Sequence, residues 1–265
     1  VIAGAILAYG AARLVGPAGP SGTLVVLAAG MLGGVIPAVL AAEMKTRARV
    51  DIVISTVLLD YVVGHGLTWV LQPGLWGEVG QTVSYQQSAP IDASLLLARL
   101  PGLGKAHVGV IVALAAVGAV WLLVACSRLG FEIRNFGLNP RTMISRGVDA
   151  GRLTLVVMAI SGALSGLAGA GELLAEAHRL KPDALAGLGY TGIVVALIGR
   201  NGPLGALAAA LFFGALSAGG LYMKITADVP AALVTAMQGL ALILFLVADV
   251  ASRMQPDPQR PETAS

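Results

Sequence analysis

Apolar runs close to 20 residues long recur along this chain, parted by short stretches of glycine, proline or charge. That is the spacing of a helix bundle threaded repeatedly through a membrane. Val1–Val15 is a first, short apolar run, and it reads as a helix that has lost its start. Gly16-Pro17-Ala18-Gly19-Pro20-Ser21-Gly22 predicts a turn, because proline and glycine interrupt helices. Thr23–Ala42 is the second run, Glu43–Asp51 a charged connection, and Ile52–Leu71 the third run. A long uncharged-to-mixed stretch, Gln72–His107, follows, within which Asp92–Leu100 reads as a short surface helix. Val108–Cys126 and Leu153–Gly171 flank a basic segment, and Glu172–Leu188 is mixed. Gly189–Gly199 is apolar but short, either a tilted, partly unwound crossing or a half-helix that dips and returns. Leu204–Met223 and Ala231–Val250 are the last full runs. The expected fold is all-α, a polytopic transmembrane bundle of about eight segments over residues 1–250. Residues 251–265, with three prolines and many polar side chains, read as a disordered cytoplasmic tail.

Composition supports the pattern. The chain of 265 residues is 57% hydrophobic and only 12% charged, against about 25% charged in a soluble domain. Too few charges remain to cover a water-facing surface. The net charge of +3 does not point to nucleic acid, because the basic residues fall in the short connections. Lys45, Arg47 and Arg49 mark one such connection, and Arg128, Arg134, Arg141, Arg146 and Arg152 mark another. The positive-inside rule puts both in the cytoplasm, and the third and fourth runs then cross outward and back, as parity requires. The lone Cys126 forms no internal disulfide and reads as a small packing residue.

Candidate chemistry is sparse. Asp60 is the main charge inside a run, and a carboxylate at helix centre costs about 2.5–3.5 kcal/mol on insertion scales, so it calls for a cavity or a partner. Thr56 lies one turn before it on the same face. These two residues are expected to line a path through the membrane, the competing reading being a structural carboxylate. Tyr61 and His65 read as packing or interface residues. Arg200-Asn201 breaks an apolar run; it lies by the path, or Arg200 reaches an interface or a carboxylate partner. Gly30 and Gly34 are spaced to let another helix approach closely, or are glycines tolerated in lipid. Ser161 and Ser165, with Gly162, Gly166 and Gly169, read as a close-packing face. No nucleophile–base pair suits an intramembrane enzyme, and the histidines are too scattered for a metal site, so no catalytic or metal residue and no bound cofactor is expected. Gly102-Leu-Gly-Lys105 lacks the spacing of a phosphate-cradling loop. Gly137 and Asn139-Pro140 predict a turn into a short helix with proline in its first turn.

Five segments then carry a likeness. They are Val50-Asp-Ile-Val-Ile-Ser-Thr-Val-Leu-Leu-Asp-Tyr61, Gly130-Phe-Glu-Ile-Arg-Asn-Phe-Gly-Leu-Asn-Pro140, Met158-Ala-Ile-Ser-Gly-Ala-Leu-Ser-Gly-Leu-Ala-Gly-Ala170, Gly192-Ile-Val-Val-Ala-Leu-Ile-Gly-Arg-Asn-Gly-Pro-Leu-Gly205 and Leu211-Phe-Phe-Gly-Ala-Leu216. In this order and spacing the chain resembles the permease subunits of ATP-binding-cassette importers for nucleosides and simple sugars. These belong to the group that includes ribose and branched-chain amino acid permeases. Departures are Ile52 in place of a usual glutamate, Asp60 in place of asparagine, and Thr142-Met143 in place of two alanines. The family's Asn-Ile-Gly-containing motif is not present, and the resemblance implies that about two helices precede this point.

The resemblance implies a type II importer fold in a bacterial plasma (inner) membrane. It implies a separate two-cassette cytoplasmic ATPase that binds the ATP, a second related permease, and an extracytoplasmic substrate-binding lipoprotein. The coupling residues would be Arg134, Gly137, Asn139, Pro140 and Arg141, with the arginines facing acidic groups on the ATPase. Nucleosides are the favoured cargo, then simple sugars. A branched-chain amino acid permease and an ion-gradient secondary transporter are the alternatives.

Overall fold

The computed structural model describes residues 1–77, 86–100, 106–185 and 187–227, with scattered positions from 233 to 247. The final run Ala231–Val250 lies largely outside the described residues. Outside them too lie the tail 251–265, residues 101–105 with the Gly102–Lys105 segment, and most of the polar run 81–88. The described residues form helices with three isolated β-bridges and no strand. Two units are described separately, Val1–Gly189 and Tyr190–Ser265.

In the first unit, α1 (Ile2–Val15), α2 (Gly19–Ala48), α3 (Ile52–Val70), α4 (Gly109–Cys126), α5 (Arg128–Leu138), α6 (Pro140–Ser145), α7 (Ala150–Glu172) and α8 (Pro182–Leu185) follow in order. Four of these are long and apolar enough to cross a membrane: α2, α3, α4, and α7 together with its extension to Ala177. Parts of the expected turn at Gly16–Gly22 and of the charged connection Glu43–Asp51 prove helical. Gly19-Pro20 begin α2, where proline needs no amide donor. Glu43–Ala48 continues α2, supported by an ion pair from Arg47 to Glu43 one turn earlier. The helix stops at Arg49, whose φ of 55° is left-handed. Asp51 then caps α3, its carboxylate accepting from the Val53 amide at 2.8 Å. Asp149 caps α7 in the same manner.

The α2–α7 pair is the spine. Gly34 and Gly30 of α2 face Gly162, Gly166 and Ala170 of α7. A β-carbon placed on Gly34 would overlap the Gly162 carbonyl oxygen and lie 2.6 Å from the Gly166 amide nitrogen. The close-approach reading of the Gly30/Gly34 spacing therefore holds, and α1 joins the pair through Gly4 against Gly166. Thr46 sits beside Gly151, so the α2 end and the α7 start share one end of the unit. The two arginine-bearing connections thus lie together, as charge placement predicts. Cys126 is exposed rather than packed, because α4 buries none of its residues.

The other end is closed by a strap, residues 88–97. Of the surface helix expected over Asp92–Leu100, only a 3-10 turn forms, Ala93–Leu95, capped by Asp92. The Ser94 amide and hydroxyl hold the Asp92 carboxyl below its usual range. The strap ties three helices. Tyr9 donates to the Ala89 carbonyl at 3.0 Å, Thr23 to Leu95 at 3.0 Å, and the Leu97 amide to Leu174 at 3.2 Å. Buried Ser88 accepts from the Leu180 amide at 2.8 Å. The main core of the unit gathers here, around Tyr9, Leu67, Leu95, Leu173, Leu174 and Leu180. Between α7 and Leu180 the chain makes a π-helical turn, Leu173–Ala177, ending at left-handed His178. Ser88→Ala would orphan the buried Leu180 amide, which costs about 1–3 kcal/mol. A lowered thermal midpoint in detergent is the expected reading, and an unchanged one contradicts this account.

In the second unit, α9 (Leu188–Ile198) enters the turn that leads to α10 (Pro203–Ala227). The expected short segment Gly189–Gly199 is thus met by the 11-residue helix Leu188–Ile198, shorter than a straight crossing. Within α10, Pro203–Gly220 is long and apolar enough to cross a membrane.

Candidate functional site

Thr56 and Asp60 share a groove of about 210 Å³ between α3, α2, α7 and residues Val1, Ile2 and Ala3. The facing wall is α7, which contributes Ser161 and Ser165. Each pair is spaced one helical turn apart, so each helix presents a two-rung polar ladder. Gly34 and Gly162 lie at the back, where their close contact keeps side chains out. Pro37 also lines the groove, inside α2, and its ring removes the amide that would otherwise bond the Gly33 carbonyl.

The polar groups are partly committed. The Thr56 hydroxyl lies 2.9 Å from the Ile52 carbonyl and 3.0 Å from that of Val53, so its proton is used and its oxygen accepts. Ser165 Oγ accepts from the Val1 nitrogen at 2.8 Å. Asp60 and Ser161 make no hydrogen bond among the described residues, and both are exposed on the groove. His65 lies on an exposed face, its Nδ1 2.8 Å from the Tyr61 carbonyl, and Tyr61 is exposed beside it. The sequence singles out Thr56 and Asp60 as path candidates and reads Ser161 and Ser165 as packing residues, and all four line this groove. The α7 glycines meet α2, while the serines at adjacent positions turn one face aside toward α3. That offset is visible only once the α2–α7 register is known.

Arg200 and Asn201 belong to the second unit. They form the α9–α10 turn with φ of 52° and 54°, and the Asn201 amide bonds the Ala196 carbonyl at 2.9 Å. Left-handed backbone at two consecutive non-glycine residues is uncommon. The turn is tight, because a β-carbon on Gly199 would overlap the Ala206 amide.

At the arginine end, Ser127 caps α5, accepting from the Gly130 amide at 3.0 Å. A β-carbon on Gly130 would strike the Leu123 and Val124 carbonyls, so glycine lets α5 fold sharply back on α4. Gly137 lies within α5, and the break comes at Asn139 instead. Asn139 Oδ1 accepts from the Thr142 amide at 3.3 Å, capping α6, with Pro140 at its first position. Leu129, Ile133 and Phe136 are half-buried. Phe131, Leu138 and Ile144 are exposed, beside exposed Arg134 and Arg141. A second cavity, about 340 Å³, opens near the strap where α4 faces α2 and α7. Its polar lining is His107 and Glu172, and His107 Nδ1 is buried without a hydrogen-bond partner.

These features define a bundle of helices long and apolar enough to cross a membrane. A family model described as branched-chain amino acid transport system / permease component matches residues 1–246. The chain belongs to that family and is an integral membrane protein. It is 33% identical to the guanosine ABC transporter permease protein NupP of Bacillus subtilis, over 88% of this chain and 66% of that protein. It is 31% identical to the glucose ABC transporter permease protein TsgB13 of Haloferax volcanii, over 83% of this chain and 59% of that one. To the nucleoside ABC transporter permease protein NupB of Lactococcus lactis it is 29% identical, over 72% of this chain and 53% of the relative. The chain thus spans between about half and two thirds of these curated relatives. No solved structure matches it. The likeness read from the five motifs holds at the level of the family.

Proposed function

We propose that this chain, with residues 1–250 as its membrane domain, is the permease subunit of an ATP-driven importer for nucleosides or simple sugars. The observation that carries the reading is the α5–α6 pair at the arginine end. It is a short, capped helical elbow presenting Phe131, Leu138 and Ile144 with Arg134 and Arg141, the chemistry of a docking knob for a soluble partner. The partner is a cytoplasmic ATPase with two cassettes. A second, related permease completes the path, and an extracytoplasmic lipoprotein delivers the cargo. ATP-driven contacts at the elbow bias the permease between two states. Thr56 and Asp60 are the path residues of this reading in the first unit, and Arg200 and Asn201 are its candidates in the second, each taken by itself. The relatives' names favour a nucleoside, with glucose next.

The test is uptake of labelled uridine and glucose by vesicles carrying this chain with and without its neighbouring ATPase, permease and lipoprotein. Uptake is expected only with the full set and ATP. In a Cys126→Ser background, Arg141→Cys should be labelled from the cytoplasmic face alone. Uptake by this subunit alone, driven by an ion gradient, would replace the reading with the secondary transporter.

A further inference from the structure

The helix α7 ends in a turn wound more widely than the rest. Over Leu173–Ala177 the winding is π, and the His178 amide bonds the Leu173 carbonyl at 2.9 Å. In α winding the same amide would reach the Leu174 carbonyl, one residue nearer. Leu174 instead accepts from Leu97 of the strap at 3.2 Å. The strap amide thus stands where the helix's own donor would otherwise be. Single π turns of this kind recur at functional sites.

The strap reads this helix end through its backbone. The Leu97, Ile91 and Ser88 amides bond the carbonyls of Leu174, His178 and Leu180, the last two each at 3.0 Å. Conversion to α winding advances the chain beyond the turn by one residue step, about 100° around the axis and about 1.5 Å along it. That carries the His178 and Leu180 carbonyls away from the strap while the His178 amide takes over Leu174. The buried Leu174 carbonyl stays paired through the exchange, as buried backbone requires. The other side of the strap is held independently, by the hydroxyls of Tyr9 and Thr23 on the Ala89 and Leu95 carbonyls. At the far end of α7 the Val148 amide bonds the Met143 carbonyl at 3.1 Å, so α6 is joined to the start of α7. The 23 residues of α7 then reach from the elbow to the strap.

We propose that this end of α7 is a register latch: π winding holds the strap down, and conversion to α winding frees its α7 side, so that the strap swings on Tyr9 and Thr23 and opens the end of the unit opposite the arginines. The inference rests on the importer reading above, in which movement of the elbow drives the conversion.

The experiment is amide hydrogen exchange, read by mass spectrometry on the importer assembled in lipid nanodiscs, without nucleotide and with a non-hydrolysable ATP analogue. Peptides covering 88–97 and 173–180 are expected to change protection together, by about tenfold between the two states, while 153–166 in the spine stays constant. Deleting Ala175 takes the extra residue out of the π turn and should leave both segments about tenfold less protected in either state. Equal protection in the two nucleotide states overturns the latch, and so does a strap that stays protected after the deletion. If the deletion variant fails to reach the membrane, Leu97→Pro decides. It removes the amide that meets Leu174, and Leu96 before it already has the extended backbone that a following proline requires, with φ −65° and ψ 148°. Leu97→Pro should loosen 173–180 in both states, and protection there equal to wild type overturns the latch. Failure to assemble with any ATPase removes the importer reading and the driver with it. The Ala175 deletion read on this chain alone then decides whether the winding holds the strap: lost protection of 88–97 supports it, and unchanged protection overturns it.

Discussion

Leucine at Gly34 is expected to leave little or no folded protein. Overpacking a core costs typically about 1–3 kcal/mol when neighbouring side chains can shift. Here the obstruction is backbone: the Gly162 carbonyl, the Gly166 amide and the Gly166 α-carbon. Backbone in two packed helices has no rotamer to offer, so α2 and α7 must separate. In lipid that separation removes the close packing that holds helices together, with no hydrophobic force to restore it. The expected loss is roughly 3 kcal/mol or more, a large share of the 5–15 kcal/mol that holds a typical domain together. The readout is the monodisperse fraction after detergent extraction, and the thermal midpoint of what survives. Gly118→Leu on α4 is the control, because a β-carbon there meets nothing within 4 Å. Equal behaviour of the two variants would show that the spine is not where the glycines matter.

Changing Arg134 to glutamate and Asn139 to alanine together is expected to sever the chain from its ATPase. Arg134 stands exposed on α5, its Nε reaching only the Gly130 carbonyl at 3.4 Å within the same helix. Reversing its charge changes what a partner meets and little else. Asn139 matters by another route, since its side chain caps α6 and sets the angle of the elbow. Removing such a cap costs about 1 kcal/mol, enough to loosen a six-residue helix but not the bundle. The double variant should reach the membrane with a near-normal thermal midpoint, fail to retain the ATPase on purification, and lose at least about tenfold in uptake. Asp149→Ala removes a comparable cap from α7 and should keep the ATPase. If the double variant retains the ATPase and transports normally, the elbow is only a basic loop.

Much of the fold was legible because lipid imposes length and periodicity. The crossing segments of the first unit, the shared side of the two arginine connections, and the proline-led α6 followed from runs, charges and caps. The likeness of motifs anticipated the family. What escaped was tertiary. Gly19-Pro20 reads as a breaker until the proline is seen at the first helical positions. Arg49, not the charged run before it, ends α2. The strap bonds Ser88 and Ile91 to residues about ninety positions away, and no local pattern signals such a partner. Of the site, Asp60 and Thr56 announced themselves as polar groups in an apolar run. Ser161 and Ser165 did not, because small residues on a glycine-rich helix look alike until the helix is rotated into register.

The register between α2 and α7 also sets a schedule for biosynthesis. Gly34 waits for Gly162, and Ser88 for Leu180. Ribosomes add roughly 5–20 residues per second, so on the order of ten seconds separates the two sides of the spine. Throughout that interval α2 dwells in the bilayer with its α7-facing glycines, Gly30 and Gly34, unclaimed. Nascent chains stalled before Gly162 should therefore be vulnerable to quality-control proteases, and those released after Leu180 should resist them.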